Sequence, residues 1–264
     1  MNNEIKQFER YLNLQGYSPK CRYPYLVKQF LQNNSLTKEN IENYILNLKN
    51  KITAGHINNI IKALKVYCKF KNINIELPPI QKTILKIPDS ITIEYLEDEV
   101  IPLAELFFEK RILQVKAILY FMFYTGVRKG EMLYIHRKDF DLNKNRVKIY
   151  APKTKNERIV IFPEKVKGIF LDYFNSEKEK NNAFNLTQTT VSNIFKTLKP
   201  HLKDCNFRPH LFRHSALTML AKGNMNILYI QKLAGHKSIE STKRYIQCKI
   251  DDIQDIYNNI TKDK

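Results

Sequence analysis

The chain has 264 residues, of which 43% are hydrophobic and 11% aromatic, and only seven are glycine. This composition excludes a disordered chain and favours one or two folded domains that are mostly helical. The formal net charge is +18; residues 1–89 carry +8 of it and the rest carry +10. Because a basic surface gains free energy by displacing counterions from nucleic acid, a polyanion is the natural partner. Membrane surfaces and acidic proteins also attract basic chains, and a lysine bias without functional meaning stays an alternative.

The cysteines and the apolar runs exclude further classes of protein. Cys21, Cys68, Cys205 and Cys248 are far apart and form no CxxC pair, which argues against a zinc site and against a disulfide framework. The N-terminus has no apolar signal region, and the longest apolar run, residues 117–124, is too short to span a membrane. The sequence therefore predicts reduced thiols, no membrane association and a cytoplasmic protein.

Residues 1–78 are predicted to form an N-terminal helical domain. Apolar residues recur at three- and four-residue spacing in four segments, and turn signals separate the segments. Ser18-Pro19 predicts the start of the second helix, and Thr37 and Thr53 are predicted to cap the third and the fourth. The predicted helix limits are 3–15, 20–33, 38–49 and 54–71.

The fourth helix carries a candidate DNA-binding face. Its apolar residues form one stripe, and the opposite side is rich in lysine and asparagine. That second side can lie against a phosphate backbone, and an ordinary solvated face is the alternative. The residues of this face are Asn58, Lys62, Lys65 and Lys69.

Residues 79–92 are predicted to be a linker, because the proline-containing runs in this region block helix continuation and favour extended backbone. Residues 93–264 then form a second domain with a β-hairpin, whose strands are predicted at 146–150 and 158–162 and whose tip carries Lys153. The predicted fold class is mainly α with a small β-hairpin or sheet, in a two-domain clamp. The other predicted helices of the second domain are 97–110, 112–125, 163–175, 187–199, 210–222, 226–234 and 239–246.

Six side chains of the second domain form a candidate site for phosphodiester cleavage. Arginine forks match phosphate oxygens bidentately, histidine and lysine can move protons, and a tyrosine hydroxyl is a possible covalent nucleophile. Each residue taken alone is weak evidence, because the chain has 44 lysines and arginines, six histidines and 15 tyrosines. The six are Arg128, Lys153, His210, Arg213, His236 and Tyr245.

In the order and context of these residues the sequence resembles the tyrosine recombinases, also called the phage integrase family. His236 precedes Tyr245 by nine residues, a spacing similar to that of compact Xer-type members, and Phe212 and Ala234 stand where leucine is common. The N-terminal four-helix pattern is similar to the family's core-binding domain, and residues 93–264 correspond to its catalytic domain. The segments that carry the resemblance are TGVRKGE (125–131), PKTKNER (152–158), HLFRHS (210–215), LAGH (233–236) and STKRY (241–245).

The resemblance selects among the roles that residue chemistry allows. Arg128 and Arg213 are expected to stabilise the charge that develops on the phosphate oxygens, and Tyr245 to attack, leaving a 3′-phosphotyrosyl bond and a free 5′-hydroxyl. Because a tyrosine hydroxyl has a pKa near ~10, its attack at neutral pH needs a proton acceptor or strong local positive charge. His210 is the candidate base. His236 is expected to hydrogen-bond the phosphate.

The remaining roles concern the leaving group and the support of the site. Lys153 is the candidate proton donor to the departing 5′-oxygen, and a plain DNA contact is its alternative role. Lys155 is its rival as the donor and is also a candidate DNA-binding residue. Glu131, three residues after Arg128, is expected to orient the site. No metal and no cofactor are expected, because arginines supply the charge stabilisation that Mg²⁺ supplies in many nucleases.

The function implied is site-specific recombination of double-stranded DNA through a four-way junction, by homodimers that pair into a homotetramer. Xer-like resolution and integration or excision of a mobile element stay open, as does the need for an accessory protein. The alternatives are a DNA-relaxing enzyme like the type IB topoisomerases and a non-catalytic architectural protein. A C-terminal apolar stripe, either docked into a neighbouring subunit or packed on its own domain, consists of Ile250, Ile253, Ile256 and Ile260.

Overall fold

The computed structural model divides the chain into two compact units, Met1–Leu85 and Lys86–Lys264. The interpretation of these parts as a core-binding domain, a linker and a catalytic domain stays a prediction. The residues that the structure describes are 2–49, 51–80, 89–152, 156–203 and 206–245.

The described residues of the first unit form four helices, as the apolar periodicity predicts. The hydroxyl of Thr37 accepts a hydrogen bond from the backbone N–H of Asn40, and that of Thr53 accepts one from His56, both at 3.3 Å. Both predicted caps are therefore confirmed. The helices are α1 (Asn2–Leu14), α2 (Tyr23–Leu31), α3 (Lys38–Leu48) and α4 (Ala54–Phe70).

The second helix begins later than predicted. Ser18 and Pro19 belong to a turn, in which the backbone N–H of Cys21 donates to the carbonyl of Ser18 at 2.8 Å. The helix begins instead at Tyr23, with Pro24 in its first turn. Proline is well suited to that position, because the first N–H groups of a helix have no partner within it. The predicted start relied on Pro19 and was wrong, because the proline in the first turn of the helix is Pro24, five residues later.

The core of the first unit lies around α4. Its stripe of Ile57, Ile60 and Leu64 is buried together with Phe8 of α1 and Phe30 of α2. The amphipathic pattern thus places the apolar side of α4 inward and leaves its lysines outside.

The second unit is mostly helical and contains a three-stranded antiparallel sheet in the order β1-β2-β3, so the predicted mainly α class with a small sheet is confirmed. In the predicted hairpin, Ala151 pairs with Asn156 next to the tip and Arg146 pairs with Ile161 at the far end. The two-residue strand β1 was not predicted. The elements are α5 (Ile93–Tyr95), a π-helical turn (Leu96–Val100), α6 (Ile101–Phe107), α7 (Ile112–Thr125), β1 (Phe140–Asp141), β2 (Arg146–Ala151), β3 (Asn156–Ile161), α8 (Lys167–Ser176), α9 (Thr190–Leu198), α10 (Pro209–Lys222), α11 (Ile227–Ala234) and α12 (Glu240–Lys243).

The helix predicted over 97–110 is interrupted. A π-helical turn joins α5 to α6 just before Pro102, and the helix ends at Phe107. Because the ring of Pro102 lacks an N–H and crowds the preceding turn, a regular α-helix cannot run through this point, and a wider turn accommodates the ring.

Helix α7 forms the centre of the second unit. It is buried on almost every side and packs against α8 and α10. Around it lies an aromatic core that includes Phe121, Phe140, Phe170 and Phe184. The end of α7, the middle of α10, strand β3 and the end of α11 meet beside this core and carry the candidate site. No helix in the described parts of the chain has the length and apolarity to cross a membrane.

Candidate active site

Arg213 lies at the centre of the candidate site. It projects from α10 and is 4% exposed. Its guanidinium donates from Nη1 to the carbonyl of Gly126 at 2.6 Å and from Nη2 to the carbonyl of Ala234 at 2.7 Å. Burial, followed by the charge of Arg128, lowers the pKa of Arg213 to about 10, so the group stays charged at neutral pH. The two carbonyls fix its position, and its other N–H groups can serve a phosphate.

The turn after α7 requires glycine. Gly126 ends the helix with φ +60°, and its N–H donates to the carbonyl of Met122 at 3.1 Å. A Cβ atom on Gly126 would lie 3.1 Å from the Cβ of Ala216 in α10. The left-handed backbone and the close approach of α10 together direct the chain so that Arg128 reaches the site two residues later.

Arg128 is held by the carboxylate of Glu131 and remains accessible. Its Nη1 lies 2.8 Å from Oε1 of Glu131, and its backbone N–H donates to Oε2 at 2.8 Å. Nη2 donates to the carbonyl of Gly235 at 3.1 Å. The Arg128 side chain is 38% exposed, against 5% for Glu131. Glu131 thus contacts Arg128 through both carboxylate oxygens, and its role in orienting the site stays a prediction.

A third arginine, Arg158, was missed by the sequence analysis. It lies on β3, and its side chain is 8% exposed. Its Nη1 and Nη2 donate to the two carboxylate oxygens of Glu131 at 3.0 and 2.7 Å, and its Nε donates to the carbonyl of Leu233 at 2.8 Å. Burial raises the pKa of Glu131, but the hydrogen bonds and charges of Arg158 and Arg128 outweigh burial, so this pKa is lowered. Glu131 therefore joins two arginines as a buried carboxylate.

A cleft of about 360 Å³ opens beside these arginines. It is lined by Arg128, Arg213 and His210, and also by Arg208 and Lys129, which the sequence analysis did not single out. Burial, and then the positive charges of the three arginines, lower the pKa of His210, which favours a neutral ring. Such a cleft suits a phosphate group, because several donors and positive charges converge on a small space.

Tyr245 lies just after the short helix α12 and is 7% exposed. It packs in a small cluster with Leu217 of α10 and with Ile230 and Ala234 of α11. Its hydroxyl lies 2.6 Å from Nδ1 of His214. Burial raises the pKa of Tyr245, and the charges of nearby arginines partly offset that effect.

His236 stacks on the ring of Tyr245. The two ring centroids are 6.5 Å apart and the rings are within 15° of parallel. Nδ1 of His236 lies 2.9 Å from Oγ1 of Thr242 in α12. Burial, and then the charges of Arg213 and Arg128, lower the pKa of His236 to about 4, so its ring is neutral at pH 7.

His214 and Thr242 were also missed by the sequence analysis. The signal for His214 was present, because it stands four residues after His210 and therefore on the same side of α10. For Thr242 there was no comparable signal, since its contact with His236 depends on how α12 folds back on the end of α11.

The structure places the predicted DNA-binding residues as follows. Lys62, Lys65 and Lys69 are exposed on α4. Asn58 is 8% exposed, so its assignment to the same open face is corrected: it borders the buried stripe next to Ile57.

Other predictions concern residues that the structure does not describe. Lys153 and Lys155 lie outside the described residues, as does the C-terminal stripe from Ile250 to Ile260. Within the described part of the chain, no group of three or more His, Cys, Asp or Glu residues is placed to hold a metal ion.

Comparison with known proteins shows the family of the chain. The sequence profile of the phage integrase family matches residues 97–250, more than half of the chain. The chain belongs to the phage integrase family. The tyrosine recombinase XerA of Saccharolobus solfataricus is 28% identical over 211 residues, which cover 79% of this chain and 69% of that protein. The chain is therefore a tyrosine site-specific recombinase.

Solved structures share its fold. The Tn1549 transposon integrase in complex with transposon right end DNA matches with a TM-score of 0.73 and 15% identity, over 97% of this recombinase and 99% of that chain. A lambda integrase tetramer bound to a Holliday junction matches with a TM-score of 0.70 and 15% identity, over 93% of this recombinase and 77% of that chain.

Proposed function

We propose that this recombinase cleaves one strand of a specific DNA duplex through Tyr245, keeps the 3′ end as a phosphotyrosyl bond, and exchanges strands through a four-way junction. The observation that carries the proposal is the composition of α10. His210 and Arg213 of this helix line the cleft of converging positive charges, and His214 of the same helix contacts the hydroxyl of Tyr245. One rigid element thus connects an anion-binding cleft with a potential nucleophile.

The proposed chemistry is an in-line displacement at phosphorus. The hydroxyl oxygen of Tyr245 forms a bond to phosphorus while the bond to the 5′-oxygen breaks. Arg128 and Arg213 stabilise the charge of the five-coordinate transition state, with fixed donors that need no reorganisation, and His236 is a further donor. The tyrosine proton passes to a histidine, which the sequence analysis predicts to be His210. The departing oxygen receives a proton from Lys153 or Lys155.

Strand exchange requires two cleaved duplexes in one assembly. The lambda integrase, which shares this fold, forms a tetramer on a Holliday junction. We extend that arrangement to this chain, with the stripe Ile250, Ile253, Ile256 and Ile260 as the predicted contact to a neighbouring subunit. Both XerA-like resolution and integration or excision of a mobile element use this chemistry. Plasmids with two sites on one molecule, or one site on each of two molecules, distinguish the two outcomes.

The exposed lysines of α4 are the proposed contacts of the first unit with DNA. Lys62, Lys65 and Lys69 are spaced so that they share one side of the helix, which suits a phosphate backbone. Replacing all three by alanine should weaken binding of any duplex sequence and reduce the slope of binding against salt concentration.

The decisive experiment traps the covalent intermediate. Duplexes that the purified recombinase retains from a randomised library are sequenced, and a nick is placed near the centre of the selected site so that the cleaved fragment diffuses away. Wild type and the matched control Tyr229→Phe, an exposed tyrosine, should form a covalent complex, and Tyr245→Phe should form none. A wild-type protein that retains a site but forms no covalent complex would show a non-catalytic binding protein. Cleavage that relaxes supercoiled DNA without joining two duplexes would show a topoisomerase-like enzyme.

A further inference from the structure

The contact between His214 and Tyr245 is the shortest path for the proton of the proposed nucleophile. Nδ1 of His214 lies 2.6 Å from the tyrosine hydroxyl, which is the range of a strong hydrogen bond. The two ring centroids are 5.7 Å apart. A general base must lie within hydrogen-bond distance of the proton that it abstracts, and His214 meets that condition.

From this geometry we infer that His214 is a further catalytic residue: it receives the hydroxyl proton of Tyr245 when the tyrosine attacks DNA. This inference rests on the proposed function and deepens it. It gives His214 the role that the sequence analysis predicted for His210. His210, one helical turn earlier, lines the cleft of Arg128 and Arg213, where it is placed to contact the phosphate.

The protonation states of the resting site agree with this direction of transfer. Burial, and then the positive charges around it, lower the pKa of His214 to about 4, so the ring is neutral and can accept a proton. Burial raises the pKa of Tyr245, so the hydroxyl keeps its proton and donates. The groups that face His214 are His210 and Arg213 of α10, Arg208 before it, and Arg244 and Tyr245 after α12.

Bound DNA favours proton transfer from Tyr245 to His214. The positive charges of Arg208 and Arg213 disfavour a protonated His214 in the free protein. A phosphate in the cleft brings a negative charge next to the same arginines and offsets part of their effect, so the pKa of His214 rises when DNA binds. The base is thereby weak without substrate and stronger with it, which limits ionisation of Tyr245 to the DNA complex.

The step is balanced in atoms and charge. The oxygen of Tyr245 bonds to phosphorus as its proton moves to Nδ1 of His214, and the bond from phosphorus to the 5′-oxygen breaks with a proton supplied by a lysine. One phosphodiester becomes another, with its single negative charge retained. In rejoining, the protonated His214 returns the proton to the tyrosine oxygen as the 5′-hydroxyl attacks.

A kinetic test separates proton acceptance from simple positioning. His214→Asn offers an oxygen that can accept the hydrogen bond of Tyr245 but cannot take its proton. Single-turnover cleavage of the nicked duplex should slow by about 10²–10⁴-fold while DNA binding is unchanged, which is the usual contribution of a general base. The difference in cleavage rate between His214→Asn and wild type should become smaller at alkaline pH, where the tyrosine ionises without a base. His201→Asn, which changes an exposed histidine that packs on Phe107, is the matched control and should cleave at the wild-type rate.

A second measurement tests the hydrogen bond without DNA. The ¹⁵N shifts of the imidazole in the free protein should show His214 with a proton on Nε2 and none on Nδ1, and Tyr245→Phe should shift the Nδ1 signal. A proton on Nδ1 would overturn the inference, since His214 would then be the donor. His214→Asn that cleaves at the wild-type rate, with wild-type pH dependence, would also overturn it and leave the proposed function standing. A wild-type protein that cleaves no selected duplex would refute both.

Discussion

The two sides of the candidate site are built in different ways. The arginine side consists of Arg128, Arg158, Arg213 and Glu131. Glu131 pairs with Arg128 and Arg158, and the three arginines also donate to backbone carbonyls at the ends of α7 and α11. The tyrosine side, which consists of His214, His236, Thr242 and Tyr245, is held by two side-chain hydrogen bonds and a small apolar cluster. Helix α12, which precedes Tyr245 on this side, has only four residues.

The difference fits the two tasks that the proposed mechanism gives to these sides. Charge stabilisation works best when donors are already in place, because reorganising them would cost energy during the reaction. A nucleophile has to approach phosphorus and withdraw again, so it benefits from a segment that can be displaced at small cost. The structure therefore assigns rigidity to the arginine side and fewer contacts to the tyrosine side.

The largest expected effect comes from Glu131→Gln, which tests whether the arginine side forms one unit. The change leaves Arg158 buried beside a neutral amide and removes the partner of Arg128. We expect a loss of about 3–5 kcal/mol in the free energy of unfolding, as for other broken buried ion pairs. Chemical denaturation measures it.

Glu157→Gln provides the control for that change. Glu157 pairs with Lys148 at 2.8 Å, but both side chains are more than half exposed. Its loss should cost between 0 and ~1 kcal/mol. If the two variants are equally stable, Glu131 does not hold the arginine side together.

The second effect comes from Gly235→Ala, at the point where α11 ends against Arg158. Gly235 has φ +63°, and a Cβ atom would lie 3.1–3.3 Å from three atoms of the Arg158 side chain. We expect the left-handed backbone alone to lower the free energy of unfolding by about 1–2 kcal/mol when alanine replaces glycine. The added Cβ atom should also displace the side chain of Arg158. Thermal unfolding and covalent trapping should both report it.

Gly168→Ala is the matched substitution at an open position. Gly168 lies in α8 and has no atom within 4 Å of an added Cβ. Alanine should stabilise the protein there by about 0.5–1 kcal/mol, because glycine is unfavourable within a helix. If Gly168→Ala lowers the free energy of unfolding as much as Gly235→Ala does, backbone conformation and contact with Arg158 do not explain the effect at Gly235.

A smaller effect is expected from Thr242→Val on the tyrosine side. Valine keeps the shape of the buried threonine but removes the hydroxyl that contacts Nδ1 of His236. We expect the activation free energy of cleavage to rise by about 1 kcal/mol, which lowers the cleavage rate roughly fivefold. DNA affinity should be unchanged, because the arginine side is intact. Thr242→Ser keeps the hydroxyl and should cleave like wild type. A drop in affinity equal to the drop in rate would show that the two sides are not separable.

The last expected effect is a difference in acid sensitivity. His214 and His236 have pKa values near 4 when folded and an ordinary value of 6.5 when unfolded, so the unfolded chain binds more protons between these values. Their contribution to stability is present above pH 6.5 and is lost as the pH falls towards 4. Glu131, whose pKa is lowered from 4.5, loses its contribution only below that pH.

Acid should therefore loosen the tyrosine side first. Hydrogen exchange of the peptide that contains residues 236–245 should increase between pH 6.5 and 5, while the segment around Glu131 stays protected. His236→Asn should reduce the slope of thermal stability against pH in this window. Equal exchange increases in both segments would remove the distinction between the two sides.

Much of the fold was predictable because periodicity and caps act locally. The limits of α3, α4 and α7 lie within a residue or two of the predictions, and Thr37 and Thr53 cap as expected. The errors occurred where two local signals competed or a wider turn formed, as at Pro19 and Pro102. A two-residue strand such as β1 has no periodicity to detect.

The candidate site was predictable only in part, for a different reason. Motif order pointed to Arg128, His210 and Tyr245, whose contacts the structure describes, and to Glu131, which holds Arg128. It did not point to Arg158, His214 or Thr242. Arg158 was visible as a charge at an inward position of a strand, two residues before the buried Val160. Its meaning depends on Glu131, which is 27 residues away in sequence and meets it only after folding.

The hydrogen bonds of the arginine side also bear on how the protein is made. Arg128 meets Gly235 across 107 residues, and Arg213 meets Gly126 across 87. Contacts of such long range form late, after most of the unit has been synthesised and has collapsed. A growing chain that has left the ribosome only as far as β3 contains Arg128, Glu131 and Arg158 but lacks every residue of α10. Such an unfinished chain can attract DNA by its charge, yet it has neither the complete cleft nor Tyr245. Under the proposed mechanism, only finished molecules can therefore cut DNA.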